Sequence, residues 1–203
     1  MMNIAVLASG RGSNFSAIIR AAKKGKIKAN LSLLVCDNPK AGAAGRAKRA
    51  GVKIAMVRRE DFSSRDDFER KIIEHLQQNN IDLVVLAGFM RMLGHELISR
   101  YENKIINIHP ALLPSFKGAH GIKDAFDYGV KVTGVTVHFV DGQMDHGPII
   151  LQSPLRIEEG DTPESLEAKI HKLEHKIYPE AIQLFLEGRL KPLGRRVSSQ
   201  VLR

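Results

Sequence analysis

Tryptophan is absent from this chain, and cysteine occurs once, at Cys36. A single thiol cannot close an internal disulfide. That excludes a disulfide scaffold and a multi-cysteine zinc site, and it fits a reducing, cytoplasmic compartment. No apolar run approaches the ~18 residues that a membrane span needs. Met1 leads straight into a short apolar run, with no basic segment or cleavage site ahead of it. Aromatic residues make up only 5%, and none interleave with the basic stretches, so a base-stacking platform for nucleic acid is not expected. What remains is ordinary globular composition: 203 residues, 43% hydrophobic, 26% charged. Collagen-like and disordered classes are excluded, and the chain is long enough for a core without a metal or disulfide staple.

Charge is unevenly placed. The chain carries 31 Lys and Arg against 22 Asp and Glu, a net +9. Residues 1–60 hold 13 basic and 2 acidic residues, residues 61–188 hold 13 and 20, and the last 15 hold 5 and none. A positive N-terminal segment suits an anionic ligand. Lys23, Lys24, Lys26 and Lys28 read most simply as a solvated helix end.

Apolar runs at 3–8, 31–36, 53–57, 81–87 and 104–109 alternate with helical patterns at 15–22 (Phe15, Ile18, Ile19 and Ala22), 41–50, 66–78 and 93–101. Continuous apolar strands alternating with helices predict an open, mostly parallel, twisted α/β sheet with helices on both faces. The second half changes character. Pro110 to His120 reads as loop, 122–128 as a short helix, and 132–140 as an alternating strand. Residues 149–157 read as a further strand of antiparallel pairing. Thr162-Pro163-Glu164-Ser165 opens a helix that runs to about 186 and closes at Gly188, with Pro179 expected to kink or break it. One domain over 1–190 is expected, with 191–203 as a flexible basic tail.

Three stretches can carry chemistry. Gly10-Arg11-Gly12-Ser13-Asn14 follows the first strand and opens a helix. It lacks the third glycine of a dinucleotide fingerprint and the Gly-Lys-Ser/Thr of a P-loop, so it reads equally as a single-phosphate site or as a tight turn capped by Ser13 or Asn14. Asn107 and His109 close the fifth strand on one face, with Ile108 opposite. An amide there can hold an oxyanion and an imidazole can shuttle a proton, or both can simply tie down a loop. Asp141 to Pro148 brings two carboxylates, which can orient a histidine and raise its pKa, hold a metal, or form a plain surface loop. His171-Lys172-Leu173-Glu174-His175 matches the H-x-x-E-H zinc pattern, but no third ligand follows, and a polar helix face is the default. His138 reads as a satisfied, semi-buried histidine, and His120 as a loop residue within reach of a ligand. Met90, Met92 and Leu93 read as core or as the lining of an apolar pocket.

Taken in order, these stretches resemble the phosphoribosylglycinamide formyltransferase family, a folate-dependent group, over about residues 2–190. The resemblance rests on Ser9 to Asn14, Leu86 to Arg91, Asn107 to Pro110 with Leu112-Leu113-Pro114, Gly134 to Val140, Asp145 with Gly147-Pro148, and Glu174-His175 before Ile177-Tyr178-Pro179. It implies formyl transfer from 10-formyltetrahydrofolate to the amine of glycinamide ribonucleotide, without a metal. By the same resemblance, Asn107, His109 and Asp145 form the catalytic trio. Gly12, Ser13 and Asn14 hold the substrate phosphate, and His171, Lys172, Leu173 and Glu174 form the segment at its glycinamide end. The folate is assigned to Arg65, Met90, Arg91, Met92, Leu93, Asn107 and the segment Asp141, Gly142, Gln143, Met144, Asp145. Such an enzyme is expected in the cytoplasm as a monomer or homodimer, with small-molecule partners and no nucleic acid or membrane. Relatives with an added tRNA-directed or regulatory domain are disfavoured by the length. The family usually has Pro-Gly where this chain has Lys117-Gly118, and Arg11 is variable in it.

Overall fold

The computed structural model describes residues 1–199. The chain divides into two compact units, Met1–Ile106 and Asn107–Arg203.

The first unit alternates strands and helices as the apolar pattern requires. Its strands are β1 (Asn3–Ala8), β2 (Asn30–Cys36), β3 (Lys53–Met56) and β4 (Leu83–Leu86). Its helices are α1 (Ser13–Lys23), α2 (Gly42–Ala50), α3 (Arg65–Gln78) and α4 (His95–Arg100). The strand order is β3-β2-β1-β4, with β5 (Ile105–His109) next; β1 runs parallel to β2 and β4, and β2 parallel to β3. β4 is buried along its whole length and β1 along all but Asn3, which is why both read as continuous apolar runs. Phe68, Ile72, Ile73 and Leu76 form the buried stripe of α3, each such burial worth about 1.5–3 kcal/mol. Ser64 caps that helix by accepting the Asp67 N–H. Gly51 ends α2 in the left-handed conformation.

The second unit begins within β5. It continues through α5 (Gly121–Tyr128), β6 (Val132–Phe139), β7 (Ile149–Arg156) and α6 (Pro163–Leu186). β5, β6 and β7 lie side by side in that order, with β6 and β7 antiparallel, as expected for the C-terminal half. β6 is the strand read as alternating. All of its residues but Val132 are buried. Thr136 is satisfied internally: its Oγ1 donates to the Ala111 carbonyl at 2.7 Å and accepts the Leu113 N–H at 3.0 Å. The loop after β5 is thereby fixed to β6.

Two expectations are corrected here. Of the kink or break expected at Pro179, the break does not occur: α6 continues through it. Pro179 lies on a buried face with Ile177, Tyr178, Ala181 and Ile182, and packing of that face outweighs the ~3 kcal/mol that an interior proline costs. The segment after Gly188 is not a structureless tail. Residues Leu190–Leu193 (β8) and Arg196–Ser199 (β9) pair as an antiparallel hairpin, and β9 packs against β7. Residues 200–203, the end of the expected tail, lie outside the described residues. Among the described residues no helix is long and apolar enough to cross a membrane.

Candidate active site

In the second unit, β5 delivers Asn107 and His109 to one face, and the Asp141–Gly147 loop brings Asp145 to them. His109 is almost fully buried. Its Nε2 lies 2.7 Å from the Phe116 carbonyl oxygen, which can only accept, so Nε2 carries the proton. Nδ1 faces Asp145 Oδ2 at 3.3 Å with its lone pair. A proton taken up at Nδ1 completes an imidazolium with an acceptor at each nitrogen. Burial pushes the His109 pKa down, and Asp145, Phe116 and the Glu174 charge only partly restore it. The neighbouring carboxylates do raise it, as expected, but desolvation outweighs them, and the ring is a neutral base at pH 7.

Asp145 is fixed from several sides. Oδ2 accepts the Gly118 N–H at 2.8 Å. Oδ1 stands 3.5 Å from Asn107 Nδ2 and 3.7 Å from His138 Nε2. Burial raises its pKa, but the His138 contact, the Gly118 N–H and the two imidazoles outweigh it, so the carboxyl sits below its ordinary value. It stays ionised. Its backbone is left-handed, φ 47°, as is that of Phe116, φ 53°. Both residues that hold His109 therefore adopt a conformation that L-residues avoid, a pattern concentrated at functional sites.

His138 is buried, as the sequence reading has it, yet it also belongs to this cluster. Its Nδ1 donates to its neighbour's carbonyl, Phe139 O, at 2.7 Å, so with that one proton the ring presents a lone pair at Nε2. Asn107 Nδ2 lies 3.2 Å away and donates to it. This fixes which way the Asn107 amide points, since the reverse would set its oxygen against a lone pair and a carboxylate. Gly118 and Gly121 also act through backbone and space alone. A Cβ on Gly121 would stand 3.1 Å from His109 Nε2 and 3.0 Å from Phe116 O. Such roles leave no side-chain signal in a sequence. Lys117, where the family usually has proline, is exposed. His120 is exposed and precedes the first turn of α5.

On α6, Glu174 is buried and His171 Nδ1 lies 2.8 Å from it, with Glu167 3.2 Å from the other ring nitrogen. Glu174 is the main cause of a raised His171 pKa. Both His171 nitrogens are thus spent on carboxylates, and among the described residues no group of three His, Cys, Asp or Glu is arranged to hold a metal. Lys172 is exposed and Leu173 half-buried. In the 141–147 loop, Asp141 accepts the Gln143 N–H at 3.0 Å and faces His146 Nδ1 at 2.7 Å, while Gly142, Gln143 and Met144 are exposed.

The first unit carries the other predicted residues. Gly12, φ 74°, precedes α1, and neither Ser13 nor Asn14 caps it: both are already helical. The cap position is taken by Gly12, so the capping role read for Ser13 or Asn14 is corrected. The carbonyls of Gly10, Arg11 and Gly12 are taken by Ala43 N–H, Arg46 Nε and Ser16 N–H. A Cβ on Gly12 would meet Ala43 Cα at 2.9 Å. No acidic residue lies in the first turn of α1, so this helix end is electropositive. Arg65 donates to Glu69 at 2.9 Å and to the Met92 carbonyl at 2.9 Å. Glu69, a buried acid, also accepts the Gly94 N–H at 2.8 Å. It escapes sequence reading although its place four residues after Arg65 was visible. Arg91 pairs with buried Asp37 at 2.5 Å and lies over the Phe68 ring. Met90 and Met92 are exposed, whereas Leu93 is buried.

A family model described as formyl transferase matches residues 2–182. A phosphoribosylglycinamide formyltransferase of Bacillus subtilis is 46% identical over 186 residues, 92% of this chain and 95% of its own length. One from Escherichia coli is 40% identical over 190 residues, 94% of this chain and 90% of its own. Among solved structures, glycinamide ribonucleotide transformylase 1 from Symbiobacterium toebii superposes with a TM-score of 0.96 at 44% identity, covering 98% of this chain and 94% of its own.

Proposed function

Because this chain belongs to the formyl transferase family, and is an enzyme, we propose that it moves the formyl group of 10-formyltetrahydrofolate to the amine of 5′-phosphoribosylglycinamide. The products are formylglycinamide ribonucleotide and tetrahydrofolate, within purine biosynthesis. The observation that carries this reading is the cluster of Asn107, His109 and Asp145, an amide donor beside a buried neutral imidazole backed by a carboxylate.

Each group has a role that its chemistry fits. The substrate amine attacks the formyl carbon. The amide N–H of Asn107, now on a long 3.5 Å contact to Asp145, turns to the oxygen as it becomes an oxyanion. His109 takes the amine proton at Nδ1, and Asp145 stabilises the imidazolium. Collapse of the tetrahedral adduct expels the folate N10, which receives that proton back. An amine is nucleophilic once deprotonated, so these steps are complete without a metal.

Ligand placement belongs to the same reading. The ribotide phosphate is assigned to Gly12, Ser13 and Asn14, supported by the electropositive helix end. The glycinamide end is assigned to His171, Lys172, Leu173 and Glu174, with the Glu174 carboxylate as the contact to the amine. The folate is assigned to Arg65, Met90, Arg91, Met92 and Leu93, and to Asn107 with Asp141 to Asp145. Exposed Met90, Met92 and Met144 offer apolar surface to its ring system. A cytoplasmic setting, as a monomer or homodimer without nucleic acid, completes the proposal.

One assay tests it. Purified protein is mixed with 10-formyltetrahydrofolate, with and without the ribotide, and the deformylated folate is followed by absorbance. Product only with the ribotide is expected. Equal rates in both cuvettes would make the protein a formyl-folate hydrolase, and no product in either would send the search to other amines.

A further inference from the structure

The β8–β9 hairpin lies beyond the segment matched by the family model, which ends at 182. Its turn carries Arg195, which is exposed. Arg195 Nη1 donates to the His146 carbonyl at 2.6 Å and stands 3.2 Å from each nitrogen of the His146 ring. That ring is bonded in turn to Asp141, 2.7 Å from its Nδ1. One guanidinium thus ties down the end of the Asp141–Gly147 loop directly and its beginning through one imidazole. Gly147 closes the other side, since a Cβ there would overlap the Phe139 carbonyl.

Asp145 is the residue just before His146, and its φ of 47° persists only if the surroundings over-determine it. Its own bonds reach Gly118 and His109 from the carboxylate side. On the backbone side, the His146 peptide is held by Arg195. A charge-assisted bond to a carbonyl is among the stronger hydrogen bonds, and this one is set on a hairpin braced by β7.

We propose that Arg195 is a positioning residue for Asp145. The C-terminal hairpin straps the Asp141–Gly147 loop, keeps the carboxylate on His109, and keeps the loop in the shape that receives the formyl donor. The donor half of this inference rests on the folate assignment above; the strap itself does not.

The test uses the full chain with Arg195→Ala and Arg195→Lys. Hydrogen exchange by mass spectrometry reads the loop without any turnover. Exchange in 141–147 is expected to quicken about five- to tenfold in Arg195→Ala and to remain unchanged in β1 and α3. KM for 10-formyltetrahydrofolate is expected to rise by a similar factor with KM for the ribotide unchanged. Arg195→Lys, which keeps one cationic donor, should recover part of both effects. Unchanged exchange in 141–147 would overturn the strap. Faster exchange with kcat and donor KM both unchanged, or an equal rise in both KM values with kcat unchanged, would overturn the positioning role. If the unaltered protein turned over no donor, the functional reading would fall while the exchange result still decided the strap.

Discussion

The Nε2 of His109 lies 2.7 Å from the carbonyl oxygen of Phe116, and this single contact settles the chemistry of the ring. The proton sits on Nε2, so the basic lone pair is on Nδ1, facing Asp145. The Phe116 backbone is left-handed, and its ring packs edge-on against Tyr128 of α5, 5.9 Å between centroids. The loop after β5 therefore does more than connect. It orients the base.

Replacing either member of the proton relay should stop turnover without unfolding the chain. His109→Ala is expected to lower kcat by about 10²–10⁴. Asp145→Asn should lower it by a similar order, because the imidazolium loses its anion. Circular dichroism should remain native for both. Near wild-type kcat in either variant would remove the relay.

Acid should silence the enzyme. His109 is neutral in the folded protein because burial depresses its pKa below the ordinary 6.5. The base form is therefore present at neutral pH, and kcat/KM falls as pH drops through the depressed value. Asp145 is the chief group holding that value up, so in Asp145→Asn the acid limb of the residual activity should move to lower pH. A limb that stayed in place, or moved upward, would break the assignment.

Gly121→Ala separates geometry from stability. Alanine is ordinarily favoured over glycine in a helix by about 0.5–1 kcal/mol. Here its methyl group would stand 3.1 Å from His109 Nε2, tighter than ordinary contact, and would shift the ring. The expected result is an unchanged or slightly raised Tm with kcat reduced about tenfold, since small misplacements of a catalytic group are costly. Wild-type kcat would show that the ring is not held by this contact.

His171 gives a pH signature of a different sign. Glu174 raises its pKa in the folded state, so its stabilising contribution is complete below 6.5 and is lost as pH rises through the raised value. With 39% of its side chain exposed, the contribution is under about 1 kcal/mol. Urea melts of His171→Gln should therefore show a loss at pH 6 and none at pH 9. The opposite order would mean that the Glu174 pair is not formed.

Much of this was legible in the chain, for reasons that differ by residue. The apolar runs of β1, β2 and β4 and the Thr162-Pro163 start of α6 state their structure locally. Asn107 and His109 declare themselves by a spacing of two at a strand end. Asp145 is 38 positions from Asn107, and only its resemblance to a family pattern linked the two. His138 was legible as a satisfied, semi-buried histidine, whereas the burial of Thr136 was not, because a polar residue satisfied inside a sheet looks, in sequence, like one facing water. Pro179 misled because propensity is local and the burial of Tyr178 and Ile182 is not. The β8–β9 hairpin has strands of four residues, too short to show a period. Phe116, Gly118 and Gly121 work through a carbonyl, an N–H and an absent methyl, none of which a side-chain alphabet spells.

His138 offers the sharpest test of how the oxyanion donor is aimed. Its Nδ1 is committed to the Phe139 carbonyl, so the acceptor it offers Asn107 is the Nε2 lone pair. His138→Leu would fill much of the volume but leave one Asn107 N–H without an acceptor, freeing the amide to rotate its oxygen toward the developing oxyanion. Removing a donor of this kind typically costs about 10²–10³ in kcat. His138→Gln restores an acceptor oxygen at roughly the reach of Nε2 and should recover most of that loss. A structural role alone would lower stability and leave the ratio between the two variants near one. A kcat for His138→Gln at least tenfold above that for His138→Leu, with KM for both substrates little changed, is the outcome that the lone-pair geometry demands.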